Sequence, residues 1–161
     1  MRADFVSVVG FMRSLWLAIV ALAVVTVGCS ERPVGAVVAD TSRTLWRAGE
    51  GIELRYENHD TLAHYDLSVV VRREASRAEG AMPLMVRCTS PSGVSFESFV
   101  VVTPVERHAG GSFEEPSVLW VTDAQLHEEG DYLFTITPTS DLRGVWSVGV
   151  ELKVGRKASL V

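Results

Sequence analysis

From residue 46 onward the apolar positions recur with a period of two. In GIELRYEN, Ile52, Leu54 and Tyr56 fall on one face, with Glu53, Arg55 and Glu57 on the other. That alternation marks a half-buried antiparallel strand. HYDLSVVVRRE is more continuously apolar at Leu67, Val69, Val70 and Val71, as a central strand is. MPLMVRCTS sets Leu84, Val86 and Cys88 against Met85 and Arg87, and Pro91-Ser92-Gly93 turns the chain. VSFESFVVV places Val94, Phe96, Val100 and Val102 on one side; Phe99 breaks the parity, and a bulge near Ser98 is expected to absorb it. Residues 103–116 form the longest irregular stretch. SVLWVTD reads as a short strand. DAQLHEEGDY reads as a connection with one helical turn over 123–129, capped by Asp123. DYLFTITP alternates at Tyr132, Phe134 and Ile136, and TSDLRG turns the chain into VWSVGVELKV, with Trp146, Val148, Val150 and Leu152. These last two segments are expected to pair as a hairpin.

The pattern predicts an all-β fold, a single antiparallel β-sandwich of seven or eight strands, immunoglobulin-like or jelly-roll-like, over residues 45–155. The expected core is Trp46, Ile52, Leu54, Leu67, Val69, Val71, Leu84, Val86, Phe96, Leu119, Tyr132, Phe134, Ile136, Val148 and Val150. Residues 156–161 read as a frayed tail.

The N-terminal segment follows another rule. Arg13 precedes SLWLAIVALAVVTVG, residues 14–28, a run without charge. It falls short of the about 20 apolar residues a bilayer span needs. It fits the roughly 7–15 residues of a signal-peptide core. Met12 offers a cleaner start than Met1, whose leader includes Asp4. The rival reading joins residues 5–28 into an anchor helix interrupted by Arg13. Thr26-Val27-Gly28-Cys29 resembles the bacterial lipobox, with threonine where leucine is usual. Residues 1–28 are then a lipoprotein signal peptide, and Cys29 is the lipidation site. Several acyl chains hold a membrane stably where one does so only marginally. A Cys29–Cys88 disulfide is the competing use of this residue. Residues 29–44, rich in Pro, Gly, Ser and charges, read as a lipidated terminus and tether, with a reach of about 50 Å when extended.

Apolar residues at 47% and charged residues at 22% are ordinary for a globular domain. The whole chain carries −5, and losing Arg2, Arg13 and Asp4 with the leader makes the remainder more acidic still. Nucleic acid is therefore excluded as an expected partner, since phosphate binding needs a basic face. No phosphate loop or nucleophile elbow is present. His59, Asp60 and His64 share one region, but their spacing fits no strong zinc pattern, and no metal or other cofactor is expected. Glu114-Glu115 and Glu128-Glu129 are acidic pairs of the kind a glycosidase uses; turn chemistry explains the second pair better. Arg72 and Arg73 end the strongest strand on opposite faces, one expected to point inward beside an acid and one outward. The candidate partner contacts are Arg73 and Trp120.

Several segments match in order: the lipobox Cys29, the tryptophan of TLWRAGEGIELRY, YDLSVVVRRE, MPLMVRCTSPSG, and EGDYLFTITPTSDLRGVWSVGVELKV. This order, from Trp46 to Val154, resembles the gliding motility lipoprotein GldH family of Bacteroidota, most specifically in the C-terminal segment. The resemblance implies a non-enzymatic cell-envelope lipoprotein, lipid-anchored and expected at the outer membrane. It implies a role in assembling or stabilising the gliding and type IX secretion machinery, with other envelope lipoproteins as partners and no small-molecule substrate. The alternative is a membrane-tethered sandwich that captures glycan or peptide; two exposed, coplanar tryptophans would favour glycan. A hydrolase ranks last.

The anchor is testable directly. Cys29→Ser is expected to release the protein from the membrane fraction or to leave an uncleaved precursor. Unchanged detergent partitioning and unchanged mature mass would refute the lipobox reading.

Overall fold

The computed structural model describes residues 34–42, 44–77, 80–104 and 112–155. The expected signal peptide, the Cys29 lipidation site and the tail at 156–161 lie outside the described residues. The strands are β1 (Gly35–Asp40), β2 (Ile52–Asn58), β3 (His64–Glu74), β4 (Met82–Thr89) and β5 (Ser95–Val102). They continue with β6 (Phe113–Glu114), β7 (Ser117–Gln125), β8 (Gly130–Pro138) and β9 (Val145–Val154). A single 3₁₀ turn, Ala75–Arg77, follows β3.

All pairings are antiparallel. One sheet runs β1-β9-β3, with β7 and the short β6 one after the other along the far edge of β3. The other runs β2-β8-β4-β5. The pairing is nested: β1 with β9, β2 with β8, β3 with β7, and β4 with β5. This is the double-sheet jelly roll rather than the immunoglobulin arrangement. Only β4 and β5 pair as consecutive strands. Their turn is closed by Ser90 N–H on the Val94 carbonyl (2.8 Å) and by Gly93 N–H on the Ser90 carbonyl (2.9 Å). Gly93 sits at φ 89°, where a side chain would be strained.

The inward rows of the two sheets meet as expected. Trp46, Leu54, Leu67, Val69, Val71, Leu84, Val86, Tyr132, Phe134, Ile136, Val148 and Val150 are all buried. Trp46 closes one end, its indole N–H donating to the Glu50 carbonyl (2.7 Å) while its backbone bridges Leu142. Ile52 is half-buried. Phe96 and Leu119 are not core: they are 57% and 54% exposed. Phe96 shares the inward parity of Val100 and Val102 but overhangs the core at a sheet edge, whereas Leu119 pairs with Ser68 on the outer face, and Val118, Trp120 and Val121 are the β7 residues that pack on the core.

Four further expectations give way. Residues 35–40, read as tether, form β1, in register with β9 from Gly35↔Leu152 to Asp40↔Ser147. Val37 and Ala39 pack against the core from this strand. The two C-terminal strands are not a hairpin; β8 and β9 lie in opposite sheets. No bulge occurs near Ser98: β4 and β5 stay in register from Met82↔Val102 to Thr89↔Ser95, and Phe99 and Val101 are exposed. The irregularity falls on β3 and β7 instead, where the register shifts twice between Tyr65 and Ser68. The helical turn expected at 123–129 is absent because β7 runs to Gln125 through Asp123 at φ 54°. The Asp123 N–H donates to Asp66 Oδ1 at 3.0 Å.

Phe134 is fully buried between the sheets. Phe134→Ala is expected to cost about 3–5 kcal/mol through the cavity it leaves. Thr135→Ala, on the opposite face, is expected to change stability by no more than about 0.5 kcal/mol. Urea unfolding of the chain from residue 34 onward measures both, and equal small effects would remove this row from the core.

Candidate functional site

Arg72 and Arg73 do point to opposite faces. Arg72 is exposed, 3.5 Å from Glu115, with its guanidinium 5.0 Å above the Phe113 ring. Arg73 is buried, its side chain 3% exposed. Its Nε donates to Glu114 Oε1 in a very short contact, and Nη1 donates to the Gly80 carbonyl at 3.3 Å. Nη2 is buried and has no hydrogen-bond partner among the described residues. The expectation that Arg73 offers a contact surface to a protein partner is therefore corrected. β6 pairs with the end of β3 at Arg73↔Glu114 and covers the guanidinium.

Arg73 forms part of the wall of a cavity of about 510 Å³ at this end of the sandwich. Met82, Leu142 and Val145 are its apolar lining, and Ser76, Asp141 and Arg143 complete it. Asp141 Oδ1 accepts the Ala48 N–H at 2.9 Å, which fixes the loop after β8 against the loop before β2.

Trp120 lies where the β7 edge of one sheet meets the β5 edge of the other. Its indole N–H donates to Ser98 Oγ at 2.5 Å. Its ring meets Phe134 edge-on at 6.2 Å and stacks on Phe96 at 6.0 Å, with 28° between planes. Trp120 thus staples the open side of the sandwich and is only half-buried. In the β5 segment Val94, Phe96, Phe99 and Val101 are exposed, from 39% at Val101 to 71% at Val94. Among the described strands β5 pairs with β4 alone, so its outer backbone rim is open. The edge position of β5 was not visible in the sequence; its signal was the parity break at Phe99.

Among the described residues two exposed, coplanar tryptophans are not found. Trp46 is buried, and Trp146 packs edge-to-face on Phe113 at 4.8 Å. Among the described residues the histidines form no cluster. His64 Nδ1 lies 3.0 Å from Asp123 Oδ1, and His59 Nε2 lies 3.7 Å from Glu57. Among the described residues no group of three or more His, Cys, Asp and Glu side chains is placed to hold a metal ion. Burial pushes the Cys88 thiol up to about 11, which keeps it protonated and unreactive near neutrality.

The acidic pairs turn out to be fastenings. Glu114 and Glu115 separate onto Arg73 and Arg72. Glu128 accepts from Ser90 Oγ, Ser92 Oγ and the Ser92 N–H, each at 2.8 Å, and so clamps the β4–β5 turn. Asn58 Nδ2 donates to the carbonyls of Leu126 and Glu128, both at 2.9 Å. The Glu128 N–H donates to Tyr132 Oη at 3.1 Å. Buried Asn58 and this clamp escaped the sequence reading, because an asparagine ending a strand carries no periodic signal.

No protein-family model matches this chain, and no curated protein is significantly similar to it. The class is therefore set by architecture alone: a jelly-roll β-sandwich with one unprotected apolar edge and one polar end cavity.

The Glu128 clamp has a pH signature. The hydrogen bonds from Ser92 and Ser90 hold its carboxyl below the usual carboxylate range. A depressed folded value means the stabilisation is present above the unfolded carboxyl value of about 4.3 and is lost as pH falls through the folded one. Glu128→Gln is expected to lower the urea midpoint at pH 7 and to flatten the acid limb of its pH dependence. An unchanged acid limb would detach Glu128 from the turn.

Proposed function

We propose that this chain is a lipid-anchored cell-envelope protein whose sandwich works by docking to another envelope protein rather than by catalysis. The observation that carries the reading is the β5 edge. Eight residues, SFESFVVV, run along the sheet border with an open backbone rim and exposed Phe96, Phe99 and Val101. Natural sheets guard such borders with lysine, proline or bulges. β5 has no proline, no bulge against β4, and one charge, Glu97, which is tied to Arg87 on the neighbouring strand at 2.6 Å. An unguarded apolar edge suits strand addition by a partner, in which backbone hydrogen bonds supply affinity and side-chain pockets supply choice. The Trp120–Phe96 stack joins this edge to the adjoining sheet.

The resemblance to gliding motility lipoproteins makes components of the gliding and type IX secretion machinery the partner class to test first. It also supports an outer-membrane location with Cys29 as the anchor. Capture of glycan has less in its favour, since Trp46 is buried and the stack on Trp120 is made with phenylalanine.

A photo-crosslinking residue placed at Phe99 of the full-length protein in its host is expected to capture envelope lipoproteins of that machinery. Val101→Lys is expected to abolish the capture while leaving the urea midpoint within about 0.5 kcal/mol of wild type. Failure to recover those lipoproteins, or equal recovery from a crosslinker at Glu53 on the opposite sheet edge, would overturn the reading.

A further inference from the structure

We propose that the end cavity is a binding site for a singly charged carboxylate carrying a short apolar group, recognised by Arg73 and Arg143. This goes beyond the docking edge, since none of the cavity's residues belongs to β5 or β7.

The unsatisfied group is the first observation. Arg73 is almost wholly buried, two of its nitrogens are engaged, and Nη2 has no partner among the described residues. A buried guanidinium N–H without an acceptor is costly, and native interiors rarely keep one. The second observation is space. At about 510 Å³ the cavity is far larger than a single water and falls within the range of small-ligand sites. The third is its lining. Met82, Leu142 and Val145 line it together with Arg73, Ser76, Asp141 and Arg143, so apolar and polar groups share its wall. Polar groups set beside apolar contacts are what orient a small ligand.

Charge narrows the class. Two arginines face the balance of Glu114, already committed to Arg73, and Asp141 on the cavity wall. The local sum is neutral, which disfavours a phosphate or any multiply charged anion. It leaves guanidinium donors matched to one carboxylate.

Val34 N–H donates to the Leu152 carbonyl, so the chain enters the sandwich at the Val154 end of β9. Arg73 pairs with Val145 at the other end of that strand. Leu152 and Val145 are separated by about 24 Å along β9, at roughly 3.4 Å per residue. The cavity therefore lies at the end away from the entering chain.

The test uses the full-length protein in detergent, observed by amide NMR. N-acetyl-leucine is expected to give saturable shifts at Ser76, Leu142 and Arg143, and its amide to bind at least tenfold more weakly. Arg143→Gln, an exposed position, is expected to weaken N-acetyl-leucine binding about tenfold without moving the urea midpoint. It keeps the test informative if Arg73→Gln does not fold. A peptide ending in leucine carboxylate that binds more tightly than N-acetyl-leucine assigns the site to protein C-termini; equal binding assigns it to free small acids. Equal shifts with acid and amide, no saturable shift with any probe, or tighter binding of inorganic phosphate would overturn the proposal.

Discussion

The ladder between β3 and β9 carries the molecule. It runs from Tyr65↔Val154 to Arg73↔Val145 and joins the first half of the chain to its last strand. Its inward row, Leu67, Val69, Val71, Val148, Val150 and Leu152, is at most 3% exposed and faces the row of β8 and β4. β1 hangs on the free side of β9, and β6 and β7 hang on the free side of β3. The cavity exists because the ladder ends at Arg73, where the register shifts and the chain leaves for the 3₁₀ turn.

Seen from this ladder, the features of the surface have separate addresses. The clamp of Glu128 and Asn58 ties together the end where β4 turns into β5. Arg73 and its cavity sit at the opposite end. Trp120 joins the two sheets along one flank, where the apolar overhang of β5 begins. A jelly roll leaves two such flanks. On the other, β1 and β2 approach so closely that a Cβ on Gly35 would meet the Tyr56 ring at 2.9 Å. One flank is thus shut by direct packing and the other by a single indole.

The fold class was legible because period-two patterning is strong where both sheets bury one face. Tyr132, Phe134 and Ile136 announced their row without ambiguity. Topology was not legible, since alternation tells which face is buried and nothing about which strand lies alongside. The TSDLRG segment looks like a hairpin turn, yet it carries the chain across to the other sheet, held by the Trp46–Leu142 bridge. β1 was missed because GAVVAD buries only Val37 and Ala39 in part, too little contrast to read as a face. Of the candidate site residues, Trp120 lies half-buried where the two sheets meet, beside the exposed edge of β5. Arg73 was singled out correctly as unusual but for the wrong task; a charge at a strand end reads the same whether it faces solvent or a cavity.

Nested pairing also sets a schedule. Each of β1, β2 and β3 has a partner that comes from the last third of the chain, and contacts so distant in sequence form late and slowly. While the chain is being synthesised or threaded through a pore from its N-terminus, β4 and β5 are the first strands able to pair, and they have no second sheet to lie on. β9 arrives last and closes both β1 and β3 at once. A chain truncated before Val145 therefore keeps its central valines without the strand that covers them.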